Sequence, residues 1–222
     1  IRANIQDART YDWLGHPHIA GARLYALAEV PDLSLKEKWN PLFQRMRQRG
    51  QHLCLFGKPS TLRALIAQLP NDLPLLIDHL GMPNANESTN QADYAQLIAD
   101  CASRTRTAAP VYFKGPGYRT ALEAKRVVPF INLILDKLGE SQLLLGASDA
   151  PFAGPVMEST ARYTGQLYTQ HIGYDALPRW IETLATLAAA HRGGSEELLI
   201  SRWLYSNARQ LYGFEAAQAK AA

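Results

Sequence analysis

The sequence has little cysteine, little net charge and no long apolar run, and each absence excludes a class of protein. Its 222 residues include two cysteines, Cys54 and Cys101, each within an apolar pattern, so we interpret both as buried thiols rather than a disulfide or a metal site. The formal net charge of +3 is too small to predict a nucleic-acid partner. No segment approaches the ~20 apolar residues of a membrane span. We therefore expect a reduced, cytoplasmic protein without nucleic-acid or membrane partners.

Motifs of nucleotide-binding enzymes and serine hydrolases are also absent. The sequence has no glycine-rich phosphate loop, no Gly-x-Gly-x-x-Gly fingerprint and no Gly-x-Ser-x-Gly elbow. It does have apolar surface, since 47% of its residues are hydrophobic and 19% are charged, which suffices for a folded domain. At this length we expect one globular domain that spans residues 1–222.

Apolar runs alternate with amphipathic helical patterns along the chain. Five runs predict strands, at 20–27, 51–56, 73–80, 111–114 and 142–146. The segments between them predict helices, most clearly at 91–105, where apolar residues recur at i, i+3, i+4 and i+7. Ser34 with Glu37, or Asn40 with Pro41, is a candidate start for the helix after the first strand. Continuous apolar strands separated by helices indicate repeated βα units around a parallel sheet.

The strand count leaves two α/β architectures open. A (β/α)8 barrel of the TIM type normally needs about 250 residues. The 222 residues fit a barrel that lacks its first strand or strands, and they also fit a doubly wound open sheet. The chain opens at Ile1 without an initiator methionine, which favours an N-terminally incomplete barrel. In both architectures, reactive side chains stand at the carboxyl ends of the strands.

Two ionisable residues at predicted strand ends are candidate catalytic residues. His79 follows the third strand within Asp-His-Leu-Gly, where an imidazole can donate, accept or bind a metal; a buried structural histidine is the alternative. Asp149 follows the fifth strand after small residues, where a partly desolvated carboxylate can act as a base toward water. A helix N-cap or an internal salt bridge is the alternative for Asp149.

Two arginines are candidates for binding a substrate carboxylate. Arg119 follows a Gly-Pro-Gly turn whose glycines allow close backbone approach; its alternative is an ordinary surface arginine. Arg23 lies inside an apolar strand, so it needs either an internal acid or a ligand anion. Three aromatic residues at the same strand ends complete the predicted substrate-binding set: Tyr25, Phe56 and Tyr118.

Other candidates leave a structural interpretation open. Lys114, at the end of the fourth strand, either helps to fix a carbonyl oxygen or is an internally satisfied lysine. His16 and His18 have the spacing of a metal-binding pair, but such a pair should end an apolar strand, so we interpret them as part of a loop. Surface or structural roles suffice for the other histidines, His52, His171 and His191.

Several of these segments resemble the amidohydrolase-related lactonases, the group that contains 2-pyrone-4,6-dicarboxylate lactonase and sugar-acid lactonases. The similar segments run in the family's order along nearly the whole chain, at 21–24, 76–81, 113–119, 146–151, 207 and 211–214. The resemblance implies a (β/α)8 barrel and hydrolysis of a lactone or related cyclic ester. It also implies that Asp149 activates water and that His79 polarises or orients the carbonyl. Arg119, assisted by Arg23, would bind a carboxylate of the substrate.

The sequence departs from this family at several positions. The family's His-x-His on its first strand is not found, Ala150 and Phe152 replace a Trp and a His, and Lys114 stands in the family's Leu-Ser-Gly segment. The resemblance implies no firmly bound cofactor, whereas related hydrolases and decarboxylases use zinc. If a divalent metal is present, His79 and Asp149 are its expected ligands.

Two alternatives to a lactonase therefore stay open. One is a metal-dependent amidohydrolase-type hydrolase or decarboxylase, and the other is a non-catalytic barrel that binds a small carboxylate or a protein partner. For a lactonase or a metal-dependent hydrolase, the expected partner is a small carboxylate or lactone substrate. A homo-oligomer is compatible with all three.

Overall fold

A computed structural model of the protein describes residues 9–27, 29–145, 152–156, 168–171 and 173–213. Five strands form a parallel sheet whose spatial order follows the chain. In that order they are β1 (Gly21–Ala26), β2 (His52–Gly57), β3 (Leu75–Ile77), β4 (Val111–Lys114) and β5 (Leu143–Leu144). Two further strands, β6 (Phe152–Val156) and β7 (Tyr168–His171), pair with each other in antiparallel fashion.

Helices alternate with the strands of the parallel sheet. One helix, α1 (Arg9–Gly15), precedes β1, and the four that follow β1 to β4 in turn are α2 (Lys36–Gln48), α3 (Pro59–Ile66), α4 (Ala92–Thr107) and α5 (Ala124–Leu138). The C-terminal part holds α6 (Leu177–Arg192), α7 (Glu196–Ser201), a π-helical turn (Arg202–Ser206) and α8 (Asn207–Tyr212). A doubly wound sheet reverses its strand order at a switch point, and this sheet does not. The five parallel strands and the helices between them are therefore consecutive βα units of a TIM-type barrel.

The two faces of the sheet have different surroundings. On the outer face, strand residues such as Leu24, Leu55 and Ile77 are at most 1% exposed and pack with the apolar stripes of the helices. On the inner face, a smaller apolar cluster lies against α8 and contains Cys54, Leu76, Tyr112 and Leu144, with Leu211 and Tyr212 from the helix. Since side chains alternate along a strand, any polar residue in phase with Cys54 or Leu76 faces the inside of the barrel.

The start of α2 and the length of β3 differ from the predictions. The helix begins at Lys36 with Leu35 at its N-cap, and Pro41 lies inside it rather than at its start. The backbone N–H of Ser34 donates to Asp32 Oδ1 at 3.0 Å, so a local turn holds Ser34 outside the helix. β3 ends at Ile77 because the chain then enters a short 3-10 segment, Asp78–Gly81.

His52 is a buried structural histidine, 6% exposed, at the start of β2. Its ring lies edge-on to the ring of Tyr212, with 5.3 Å between the centroids. Burial, together with the positive charge of Lys114, lowers the pKa of His52 from 6.5 to about 4. Its neutral form is therefore the one compatible with the folded state.

We predict that this histidine makes folding sensitive to mild acid. Between pH 6.5 and about 4 the unfolded chain binds the proton and the folded chain does not, so the stability present above pH 6.5 is lost as the pH falls through this window. The expected loss is roughly 3 kcal/mol. Urea unfolding at steps from pH 7 to 4.5 measures it. His52→Gln should flatten this slope and His191→Gln, at a side chain 54% exposed, should not; equal slopes in all three proteins would contradict the prediction.

Candidate active site

The site is built around Asp78, which directly follows β3 and is 1% exposed. Its two carboxylate oxygens contact cations from two different strands. Asp78 Oδ2 lies 2.5 Å from Arg23 Nη2 on β1, and Asp78 Oδ1 lies 3.3 Å from Lys114 Nζ on β4. The alternation of side chains explains this meeting, because Asp78 is two residues after Leu76 and Arg23 is in register with Cys54. All three charged residues therefore face the inside of the barrel.

The triad of Asp78, Arg23 and Lys114 keeps the carboxylate of Asp78 ionised. Burial would raise the pKa of Asp78, but the positive charges of His79, Lys114 and Arg23 outweigh it, and the pKa lies below its ordinary value. Burial likewise opposes the charge of Lys114, yet the carboxylate of Asp78 raises the pKa of Lys114. Asp78 therefore acts as a fixed anion that holds two cations.

Cys54 is the nearest thiol to this triad, with its Sγ 3.7 Å from Asp78 Oδ2. Burial, reinforced by the negative charge of Asp78, raises the pKa of Cys54 to about 12. A thiol in this state donates a weak hydrogen bond to the carboxylate and is not a nucleophile. The prediction that Cys54 and Cys101 are buried free thiols is confirmed.

His79 is held in a left-handed backbone conformation. Its φ and ψ are 51° and 43°, and Leu80 follows with a φ of 55°. Such angles cost a non-glycine residue about 1 kcal/mol or more, and this kind of strain is concentrated at functional sites. Two contacts from other elements hold the turn. Tyr94 Oη donates a hydrogen bond to the Leu80 carbonyl at 2.9 Å. The backbone of Gly115 packs so closely on the turn that a Cβ at residue 115 would lie 3.1 Å from His79 Cα.

The ring of Phe56, near the end of β2, contacts the imidazole of His79 and the guanidinium groups of both candidate arginines. Its ring lies edge-on to His79 at 4.7 Å and to Tyr25 at 5.2 Å between centroids. The guanidinium carbons of Arg23 and Arg119 lie 4.8 and 5.9 Å from the centre of the Phe56 ring. Because cations are attracted to the face of an aromatic ring, Phe56 helps to keep two guanidinium groups together despite their like charge.

The loop after β4 positions Arg119, which is 9% exposed. Gly115 and Gly117 in this loop have φ angles of 125° and 82°, in the region that favours glycine. Trp180 on α6 donates its indole N–H to the Pro116 carbonyl at 2.6 Å, and so ties the loop to a neighbouring helix. Tyr118 packs with Leu177 and Trp180 beneath the loop rather than beside Phe56. Tyr118 therefore supports the loop in this structure, and its predicted contact with substrate stays a prediction.

The structure brings most of the predicted site residues together. His79, Arg23, Arg119, Tyr25 and Phe56 form one cluster. Of the two partners predicted for Arg23, an internal acid or a ligand anion, the structure shows an internal acid, Asp78. Asp149 lies outside the described residues, so its place and role stay predictions. His16 and His18 are exposed in a loop after α1, as predicted.

The sequence analysis missed the central role of Asp78. A signal was present, because an arginine inside an apolar strand needs an acid or a ligand anion, and Asp78 is an acid that directly follows another apolar strand. Of the two interpretations open for Lys114, its ion pair with Asp78 supports the internally satisfied lysine and does not test a contact with a carbonyl oxygen.

The donors around Asp78 do not fit a divalent metal. Within the part of the chain that the structure describes, no group of three His, Cys, Asp or Glu side chains could hold one. The two oxygens of Asp78 already contact Arg23 and Lys114, which occupy the positions a metal would need. We therefore derive no step through a metal ion, and a metal held by His79 and Asp149 stays a prediction.

Comparisons with known proteins agree with this fold. Residues 7–214 match a family model described as amidohydrolase. A solved structure of a candidate 2-pyrone-4,6-dicarboxylic acid hydrolase from Pseudomonas putida is 23% identical and covers 96% of this chain and 69% of its own, with a TM-score of 0.65. A second such candidate, from Acinetobacter baumannii and solved with citric acid bound, is 16% identical and covers 96% of this chain and 71% of its own, with a TM-score of 0.67. No curated protein matches the chain. No helix among the described residues is long and apolar enough to cross a membrane.

Proposed function

This chain belongs to the amidohydrolase family and is a hydrolase of that family, and we propose that it opens a lactone or related cyclic ester of a small carboxylic acid. The observation that carries the proposal is the excess of positive charge in the site. Arg23 and Lys114 share the single carboxylate of Asp78, and Arg119 stands beside the same aromatic ring as Arg23. A site with this charge favours an anionic substrate, and guanidinium groups suit carboxylates.

The proposed reaction divides the work among three residues. Asp149 accepts a proton from water as the water oxygen bonds to the ester carbonyl carbon. His79 orients the carbonyl, and Arg119 holds a carboxylate of the substrate. The bond between the carbonyl carbon and the ring oxygen then breaks, and the proton passes to the departing oxygen. The product is an open-chain hydroxy acid.

The similar solved structures support this substrate class without assigning a substrate. Both are candidate hydrolases of 2-pyrone-4,6-dicarboxylic acid, which is a cyclic ester with two carboxylates, and one holds citric acid, a tricarboxylate. At 23% and 16% identity, these structures do not identify the lactone ring or the substituents that the substrate of this chain would have. The two free cysteines among the buried residues fit a reducing compartment, so a cytoplasmic location is part of the proposal.

We predict that Arg119→Met will raise KM selectively for lactones that carry a carboxylate. Loss of a charged hydrogen-bonded contact should cost about 1.5–3 kcal/mol, which corresponds to a 10- to 100-fold rise in KM. A neutral lactone with the same ring should show little change. The control is Arg106→Met, an exposed arginine in the last turn of α4. Steady-state kinetics on the matched lactone pair make the measurement, and an equal effect on both lactones would contradict this role of Arg119.

A lactone panel tests the proposed function itself. The full chain is assayed against five- and six-membered lactones with and without carboxylate substituents, and its metal content is measured on the same sample. Hydrolysis that prefers the carboxylated lactones would support the proposal. Binding of the carboxylates without turnover would indicate a non-catalytic barrel, and turnover that requires a stoichiometric metal would indicate the metal-dependent alternative.

A further inference from the structure

We propose that Lys114 is a catalytic residue, which stabilises the negative charge that develops on the carbonyl oxygen during ring opening. This inference rests on the proposed function and adds a group to the site. Lys114 is the last residue of β4, in register with Leu144 of β5, and faces the inside of the barrel. Its side chain is 24% exposed, so it contacts the buried carboxylate of Asp78 and is also partly accessible to solvent.

The position of Lys114 relative to His79 is the first argument. Lys114 Nζ and His79 Nε2 lie 3.3 and 3.9 Å from the same atom, Asp78 Oδ1. The two nitrogens therefore lie within about 7 Å of each other. An oxygen placed between them would meet an ammonium group and an imidazole, which is the kind of donor pair that binds an oxyanion.

The unequal charge of the triad is the second argument. One cation would suffice to neutralise Asp78, but Arg23 and Lys114 both contact it. An ammonium group has three N–H donors, and Asp78 Oδ1 is its one ion-pair acceptor among the described residues. Counted over the described residues alone, the triad therefore leaves further N–H donors of Lys114 and one positive charge for an anionic transition state. The raised pKa of Lys114 keeps it protonated throughout the neutral range.

During hydrolysis Lys114 donates a hydrogen bond to the carbonyl oxygen and keeps its proton. Water attacks the carbonyl carbon, its proton goes to the general base, and the carbonyl oxygen becomes an oxyanion beside Lys114. When the ring bond breaks, the carbonyl re-forms and the departing oxygen receives the proton from the base. Lys114 stabilises the negative charge of the oxyanion and is chemically unchanged at the end of the reaction.

Kinetics of Lys114 variants test this role. Lys114→Met should lower kcat about 10²- to 10³-fold on a hydrolysed lactone, with KM changed only a few-fold. Lys114→Arg, which keeps the charge, should recover at least tenfold of that loss. Lys125→Met, at an exposed lysine of α5, is the matched control and should behave as wild type. A kcat within threefold of wild type for Lys114→Met would overturn the proposal.

The double variant separates catalysis from simple charge balance. If Lys114 serves only to neutralise Asp78, then Asp78→Asn together with Lys114→Met should restore kcat relative to Lys114→Met alone. If Lys114 stabilises the oxyanion, the double variant should stay at least as slow as the single one. Restoration would overturn the proposal, and thermal unfolding of each variant shows whether it is folded.

A binding measurement keeps this inference distinct from the lactonase proposal. Calorimetry with 3-phosphonopropionate, whose phosphonate mimics a tetrahedral oxyanion, is compared with succinate, which carries only planar carboxylates. Lys114→Met should weaken the phosphonate at least tenfold and succinate by less than threefold. If the wild type hydrolyses no lactone but shows this selective loss, the proposed function falls and the oxyanion role of Lys114 stands. Equal losses for both ligands would overturn the role of Lys114 whatever the activity.

Discussion

Replacing Asp78 by alanine should lower the free energy of unfolding by about 3 kcal/mol, because it leaves Arg23 and Lys114 close together without their shared carboxylate. The value lies at the lower end for a broken buried ion pair, since the side chains of Arg23 and Lys114 keep 37% and 24% of their exposure to solvent. The same change should abolish most activity, because both cations can then move. Urea unfolding and kcat/KM on a hydrolysed lactone are the two measurements.

The control for Asp78→Ala is Asp72→Ala, which removes a surface ion pair. Asp72 Oδ2 lies 2.9 Å from Arg47 Nη1, but the Asp72 side chain is 67% exposed. Its loss should cost much less stability than the loss of Asp78, because water and salt screen an exposed ion pair. If Asp78→Ala were no more destabilising than Asp72→Ala, the triad would contribute nothing to stability and the view of Asp78 as a fixed counter-ion would be wrong.

The triad should also leave a signature in the acid limb of stability. The pKa of Asp78 in the folded protein lies below its ordinary value of 3.8. The stabilisation is therefore fully present above pH 3.8 and is lost as the pH falls toward the lower folded pKa. Asp78→Ala removes this contribution, so its stability should fall less steeply than that of wild type in this range.

The parts of the fold that the sequence predicts well are those with local periodicity. β4 has the predicted bounds of Val111–Lys114, and α4 buries its predicted stripe, including Tyr94 and Ile98. The helix-facing and barrel-facing sides of a strand also follow from alternation. The left-handed turn at His79 could not be predicted in this way, because Leu80 and His79 have no local preference for it and the contacts that stabilise it come from α4 and the loop after β4.

The candidate site shows the same limit. Each member of the triad can be chosen from the sequence as an ionisable residue in or after an apolar strand, and the place of Arg23 inside such a strand predicts an internal acid or a ligand anion as its partner. Which acid it meets depends on the register of β1 against β2 and of β2 against β3, in which Arg23, Cys54 and Leu76 form one row. Register is a property of strand pairing across the sheet, so the sequence alone does not determine that Asp78, two residues after Leu76, meets Arg23.

Replacing Asp149 by asparagine is expected to lower kcat about 10²- to 10⁴-fold while KM changes only a few-fold. The reason lies in the proposed reaction, in which Asp149 takes a proton from water. Asparagine keeps the size of the side chain and loses its basicity. Steady-state kinetics on a carboxylated lactone measure the effect, and Asp93→Asn, at an exposed acid of α4, is the control.

Asp78 is the one carboxylate that the described part of the site offers as an alternative base, and its environment argues against it. Both of its oxygens contact cations, it is 1% exposed, and its lowered pKa makes it a weak proton acceptor. These properties favour a base from another strand end, and in the proposed reaction that base is Asp149, which follows β5 in the sequence; β5 pairs directly with the strand of Lys114. If Asp149→Asn kept wild-type kcat while Asp78→Asn lost it, Asp78 would be the general base. The ion pair of Asp78 with Arg23 or Lys114 would then have to break before each turnover.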